Sequence, residues 1–279
     1  KETNGAYGIY PVNSQHVLVE ECVAIGGSDS GIYVGQSKNI IIRNCRAEYN
    51  VAGIEIENCH GADAYDNVAT HNTGGILVFD LPDLPQQRGN SIRVFRNTVV
   101  DNNTRNFAPA GNIVGTVAPG TGILIMANAN VEIFENDIRD HGTASLLIVS
   151  YFSTGIDIRD PAYYPYPEGI HVHHNRFGPA GDNPRGDSGH LIAGILGTPV
   201  PDIVWDGVTN PDREVGGVLP DEARIFIHDN TREGADLRFG NVGGLAGLAD
   251  PSRAEVKRDL AAHEGALPPV PAIRIEGVN

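Results

Sequence analysis

The chain is short of the residues that hold polyanions. It has 20 Lys and Arg against 35 Asp and Glu, a formal net charge of −15. Duplex nucleic acid is bound largely through basic side chains that displace counterions, so it is excluded as a partner. An anionic membrane surface is disfavoured for the same reason. No apolar run approaches the ~20 residues of a membrane-spanning helix. Only three cysteines occur, Cys22, Cys45 and Cys59. An odd set of three in a chain this long is no disulfide framework. The chain also has no nucleotide-binding glycine loop, no serine-elbow motif and no CxxC pair. What it has in excess is glycine, 34 of 279 residues, well above the usual ~7 %. A chain so rich in turn residues reverses direction often. Apolar residues make up 41 %, enough for a core, which excludes global disorder. The length fits one large domain or two small ones.

An internal repeat organises the chain. Units open with Gly-Ile or Gly-Ile-like runs at Gly8, Gly31, Gly53 and Gly75, in steps of 23, 22 and 22 residues, and the pattern returns at Gly122. Each unit shows the two-residue alternation of a strand. Ile32 and Val34, Ile54 and Ile56, Ile76 and Val78, and Ile123 and Ile125 point one way in the first run. Val17 and Val19, Ile40 and Ile42, Ile92 and Val94, Val131 and Ile133, Ile170 and Val172, and Ile225 and Ile227 do so in the second. A helical repeat fails, because no unit carries apolar residues at three-and-four spacing over ten positions and the β-branched and Gly content disfavours helix. Three short strands per ~22-residue turn, stacked at ~4.8 Å, predict a parallel coil. Cys22, Cys45, Asn67, Asn97, Asn136, Asn175 and Asn230 then occupy one recurring slot. There an Asn satisfies backbone groups and bonds the Asn above it. Asn50, Asn72 and Asn102 form a second column, and His141 falls in its register. A Cys22–Cys45 disulfide is the lesser reading, since stacked parallel side chains face one another poorly.

These residues resemble the right-handed parallel β-helix repeat proteins of the pectin-lyase-like superfamily, over residues 5–178 and 222–232. The group includes pectate lyases, polygalacturonases, mannuronate epimerases, periplasmic repeat proteins and phage tailspikes. The resemblance implies that the Gly-Ile runs are first strands and that substrate lies over the first-strand sheet, in a cleft across residues 53–195. It also implies a secreted or periplasmic protein. AYGIYP resembles the YGFDPH motif of mannuronate epimerases, but Tyr10 stands for the acid and Val12 for the imidazole. The expected architecture is all-β: one right-handed single-stranded parallel β-helix of about seven turns over residues 1–249, then a cap helix and tail at 250–279. Long insertions are expected at 81–89, 104–121, 152–168, 178–188 and 197–221, the last following a strand-like LIAGIL. Lys1 at the start, no signal-type apolar segment, and a repeat that begins almost at once predict earlier turns in a longer precursor.

Outward positions of the first-strand sheet read Tyr10, Val12, Tyr33, Gly35, Glu55 and Glu57 early, and Leu77, Phe79, Leu124, Met126, Leu147 and Val149 later. The aliphatic half implies insertions folded down over it, or a protein-contact patch. Glu55 and Glu57, with Asp80 ending the next strand, suit Ca²⁺ or an acid–base pair. A solvated acidic face is the plainer reading. Tyr33, Glu55, Glu57 and Asn58 are the candidate substrate contacts. Asp80, Arg88, Arg105 and His141 are the candidate catalytic set, Arg holding a uronate carboxylate and His or Asp serving as base. His171, His173 and His228 suit Zn²⁺. The column Tyr65, Phe95, Phe134, His173, His228 is better read as an aromatic stack, since neither a Cys nor an obvious carboxylate completes a metal set. RGDS at Arg185–Ser188 and the sequon Asn102-Asn103-Thr104 read as chance matches. The expected function is binding or modification of an acidic polysaccharide by lyase- or epimerase-like chemistry. The alternative is a non-catalytic scaffold that meets a protein partner through the first-strand sheet and its loops.

Overall fold

A computed structural model describes residues 4–278. Residues 1–3 of the expected helix domain and Asn279 of the tail lie outside the described residues. The chain winds into three parallel sheets. Sheet A has eight strands, from Tyr7–Ile9 to Phe239–Asn241, and sheets B and C have seven each. Each turn visits A, B and C in order, and each strand pairs with its counterpart one turn away.

The register follows the alternation. Ile32, Ile54, Ile76, Ile123, Leu146 and Ile203 stack in sheet A. Val19, Ile42, Ala64, Val94, Ile133, Val172 and Ile227 stack in sheet B. Sheet C adds Ala24, Ala47, Ala69, Val99, Ile138 and Phe177. All these inward residues belong to one continuous core. Burial on this scale contributes about 25 cal/mol per Å² of apolar surface removed from water.

The bend between sheets B and C is held by the first polar column. Backbone N–H groups of Cys45, Asn67, Asn97, Asn136 and Asn175 donate to the side-chain oxygen of the Asn one turn on, at 2.9–3.1 Å. Each Asn Nδ2 also donates back to a carbonyl of the preceding turn, as Asn97 does to Ala64 O at 2.9 Å. The residue before every slot is left-handed: Glu21, Asn44, Asp66, Arg96, Glu135, His174 and Asp229 have φ between 49° and 55°. None is glycine, so each bend carries a backbone cost on the order of 1 kcal/mol that the ladder bonds offset. The three cysteines are free thiols.

Two expected elements differ. LIAGIL is not a strand but the second half of helix α1, Gly186–Leu196. Leu191, Ile192, Ile195 and Leu196 sit at helical spacing, and Asp187 lies in the first turn. The sheet A strand of that turn is Ile203–Trp205, inside the expected 197–221 insertion. SRAEVKRDLAAH forms no α-helix either. The capping helix is α2, Leu245–Ala249, followed by 3-10 turns at Pro251–Arg253 and Ala261–His263. Asp250 caps the first of these turns by accepting from Ser252 N at 3.0 Å. The tail then runs back across the outer face of sheet B. Val270 N donates to Glu132 at 3.1 Å and Ile273 N to Asp63 at 3.0 Å.

Asn97→Ala strips partners from the Asn67 N–H, the Asn67 amide and the Ala64 carbonyl, all buried. At about 1–3 kcal/mol for each unsatisfied group, urea unfolding should show a loss of at least ~3 kcal/mol. A wild-type midpoint for this variant would deny the ladder its role.

Candidate functional site

The outer face of sheet A divides into an acidic early half and an apolar later half. In the early half, register sets Tyr33 beside Glu55 and Gly35 beside Glu57. The Tyr33 hydroxyl donates to Glu57 Oε1 at 2.5 Å, and Ser30 Oγ donates to Glu55 Oε2. Asp29, just before the same strand, accepts from Tyr7 OH at 2.9 Å. It also accepts from Asn112 of the 104–121 insertion at 2.8 Å. Tyr10 stacks on Tyr33 at 4.7 Å and lies 4.2 Å from the Tyr7 ring. Tyr10 is 53 % exposed, whereas Asp29, Glu55 and Glu57 are buried.

Burial dominates the proton affinity of this cluster. Desolvation, then the neighbouring Glu57 and Asp29 charges, push Glu55 well above the usual carboxylate range. Desolvation raises Glu57 to about 7 against the pull of the Tyr33 hydrogen bond, and raises Asp29 as well. The phenols of Tyr7, Tyr10 and Tyr33 are raised by burial and by these acids. The cluster therefore holds protons near neutral pH, the condition for acid–base exchange. Tyr10 is its exposed edge.

The later half is a second apolar core. Leu77, Phe79, Leu124, Met126, Leu147 and Val204 pack under Val114, Val117, Tyr151, Tyr163 and Leu196 from the insertions and α1. The loops thus fold down over the aliphatic columns, as expected. They leave a cavity of about 710 Å³ floored by Leu124, Met126, Leu147 and Val204. Arg105 and Arg185 line it together with Asp187 and Ser188. Asp206 also borders it, its buried carboxylate accepting from Ser150 N at 2.6 Å and Ser153 Oγ at 2.9 Å. RGDS is thus no extended loop: it spans the residue before α1 and that helix's first turn.

The candidate catalytic set does not converge. Asp80 is buried and ties the 81–89 loop shut, accepting from Gly89 N at 2.8 Å and Arg88 N at 3.2 Å. Desolvation, partly offset by those two bonds and the Arg88 charge, lifts it to about 6. The Arg88 guanidinium lies 4.0 Å over the Tyr164 ring. Arg105 is exposed at the cavity. His141 is buried and continues the second polar column. Its Nδ1 accepts from Asn102 N at 3.4 Å, and its Nε2 donates to Val99 O at 3.0 Å. Those are the tasks Asn102 performs one turn earlier toward Asn72 N and Ala69 O. Burial lowers His141 to about 4, and with the ring out of solvent and both nitrogens engaged it is a neutral ladder rung with no lone pair facing a cleft. Asn58 is also buried, holding Leu81 and Gln86 of the loop, so it offers nothing to a substrate. Asn102 of the sequon is a buried ladder residue. Asp29 and Arg185 were not visible as site residues. Asp29 enters through a turn, and Arg185 belongs to a tetrapeptide with no pattern around it.

The three stacked parallel sheets define a parallel β-helix. The right handed beta helix region matches residues 2–162, more than half the chain, and the chain belongs to that family. No curated protein and no solved structure matches it. Among the described residues no helix is long and apolar enough to cross a membrane.

Two outcomes are expected. His141→Asn should keep near-native stability in urea because the amide supplies the same donor and acceptor, whereas His141→Ala should lose ~2 kcal/mol or more. Glu57 binds its proton more tightly folded (about 7) than at its ordinary 4.5. Its contribution is present below pH 4.5 and is lost as pH rises through 7. Glu57→Gln should therefore gain on the order of 3 kcal/mol relative to wild type between pH 4.5 and 8. A constant difference across that range would refute the raised affinity.

Proposed function

We propose that this β-helix binds a small ligand with an apolar body and an anionic group, seated in the cavity over sheet A. One observation carries the reading: an aliphatic floor of Leu124, Met126, Leu147 and Val204 is bordered by two arginines, Arg105 and Arg185. Neither has an ion-pair partner among the described residues. With its amide oriented to suit, the Asn183 oxygen accepts from Arg185 at 2.6 and 3.1 Å, which fixes the fork. A cavity of about 710 Å³ falls within the usual ~300–1,000 Å³ of small-molecule sites. The apolar body would be driven in by burial, and a carboxylate or phosphate would be held by charge-assisted bonds.

An acidic polysaccharide is the second reading, supported by family membership and by the same two arginines, which suit uronate carboxylates. Lyase- or epimerase-like chemistry would then fall to the proton-holding Tyr7–Tyr10–Glu57 region rather than to the scattered catalytic set. A secreted or periplasmic setting belongs to this proposal too. Docking of a protein on the bare first-strand sheet has less support, because the insertions cover the aliphatic columns.

Calorimetry with dodecanoate and dodecanol separates the ideas. Dodecanoate should bind more tightly than the alcohol. The Arg105→Ala/Arg185→Ala variant should weaken it about tenfold, equivalent to ~1.4 kcal/mol, while leaving the alcohol unchanged. Absence of binding by either compound, together with an unsaturated product from pectate or alginate, would replace this reading by the second.

A further inference from the structure

The histidines of sheet B lie on a different face from the cavity. His171 and His173 point outward from strand Glu168–His173, and His228 ends strand Ile225–His228 beside His173. The aromatic column is present: Tyr65, Phe95, Phe134, His173 and His228 stack in sequence at 4.7–5.5 Å between ring centres. The stack is not the whole of it. The carboxylate absent from the sequence pattern arrives from the neighbouring turn, where Glu132 pairs in register with His171.

We propose that Glu132, His171, His173 and His228 form a binding site for a divalent transition-metal ion of the zinc type. One ligating atom each of Glu132, His171 and His173 lie within 4.8 Å of one another. His171 Nε2 is 2.7 Å from His228 Nε2, and His173 Nε2 is 3.1 Å from Glu132 Oε1. A tetrahedral ion with bonds of about 2.0–2.1 Å sets its ligand atoms ~3.4 Å apart; Glu132, His171 and His173 form the compact part of the group, and His228 joins it through its contact with His171 Nε2. The protein alone leaves the group incomplete. Two Nε2 atoms in contact must share one proton, and the buried His171 Nδ1 has no partner. The far atoms are already fixed. His228 Nδ1 lies 2.8 Å from Asp229 Oδ2, and His173 Nδ1 lies 2.8 Å from His174 Nδ1. Glu132 Oε2 accepts from Val270 N. The Asp229 carboxylate holds the proton on His228 Nδ1 and leaves its Nε2 lone pair for a metal, while His173 Nε2 donates to Glu132 Oε1 and releases that proton on metal binding. Four protein ligands from three successive turns make a closed, structural site. It would tie those turns to one another and, through Val270, to the tail.

The test uses the full chain after dialysis against chelator. Zn²⁺ titration should show one equivalent per chain, and Co²⁺ should give the visible bands of a tetrahedral site. The thermal midpoint should rise with Zn²⁺ by mass action. Asp229→Asn should weaken binding about tenfold, and His171→Ala/His173→Ala should abolish both the equivalent and the thermal shift. Glu132→Gln, which keeps the side-chain volume and an acceptor for Val270, gives a second variant and should also weaken binding. Far-UV circular dichroism confirms that the variants fold. A wild-type chain that takes up no Zn²⁺, or a double histidine variant that binds it equally well, would overturn the assignment.

Discussion

Everything in this molecule depends on a bend that an ordinary chain would avoid. In each of seven turns a non-glycine residue stands at φ between 49° and 55°, a conformation that L-residues adopt at a cost. The residue after it, an Asn in five of the seven turns, locks the bend. Its oxygen accepts from the turn on one side and its nitrogen reaches a carbonyl on that same side. Buried backbone groups need partners, and for the N–H of Cys45, Asn67, Asn97, Asn136 and Asn175 the partner is an Asn side chain one turn away. The bond therefore fixes vertical register as well as local shape. The later cysteine of the two early turns does part of the same work, its thiol donating to the Val19 carbonyl of the preceding turn at 3.6 Å.

Fixed register makes columns, and columns divide the labour. Inward columns of Ile, Val and Ala fill a single core. Outward columns are free to differ, and they do so by sheet and by height. The early turns of sheet A gather carboxylates and tyrosines, and the later turns gather aliphatics that the insertions cover. Sheet B carries charge and aromatic ladders that end in imidazoles. Insertions enter only between strands, so they accumulate over sheet A without disturbing the ladder beneath.

The proton affinities follow from this geometry. Glu55 and Glu57 alternate on one strand and so share a face, flanked by Ser30 and Tyr33 of the preceding turn and Leu77 and Phe79 of the next, and both are buried. In an exposed sheet the same pair would be two ordinary surface acids. His141 illustrates the converse. It resembles a catalytic residue beside Asp140, yet its position in the second Asn column makes it a hydrogen-bonding substitute for an amide. That Tyr33, Glu55 and Glu57 share one face was legible from two-residue alternation, but not that all three are buried, so the expected solvated acidic face is absent. Asn58 was misread because the residue after a strand turns inward to hold a loop.

By itself the sequence determined the winding: the step of about 22 residues, the three strands per turn, the Asn slot and the inward columns are all periodic, and periodicity survives without coordinates. What only the tertiary structure decided is aperiodic. LIAGIL became helix because Ile192, Ile195 and Leu196 pack on the apolar core outside sheet A while Leu191 stays exposed, a choice that six residues of local pattern leave open. Glu132 joined the histidines, and Arg105 and Arg185 came to line one cavity, because stacking and loop packing bring together residues some 40 to 80 positions apart. Such meetings are set by three-dimensional proximity, which no spacing along the chain records.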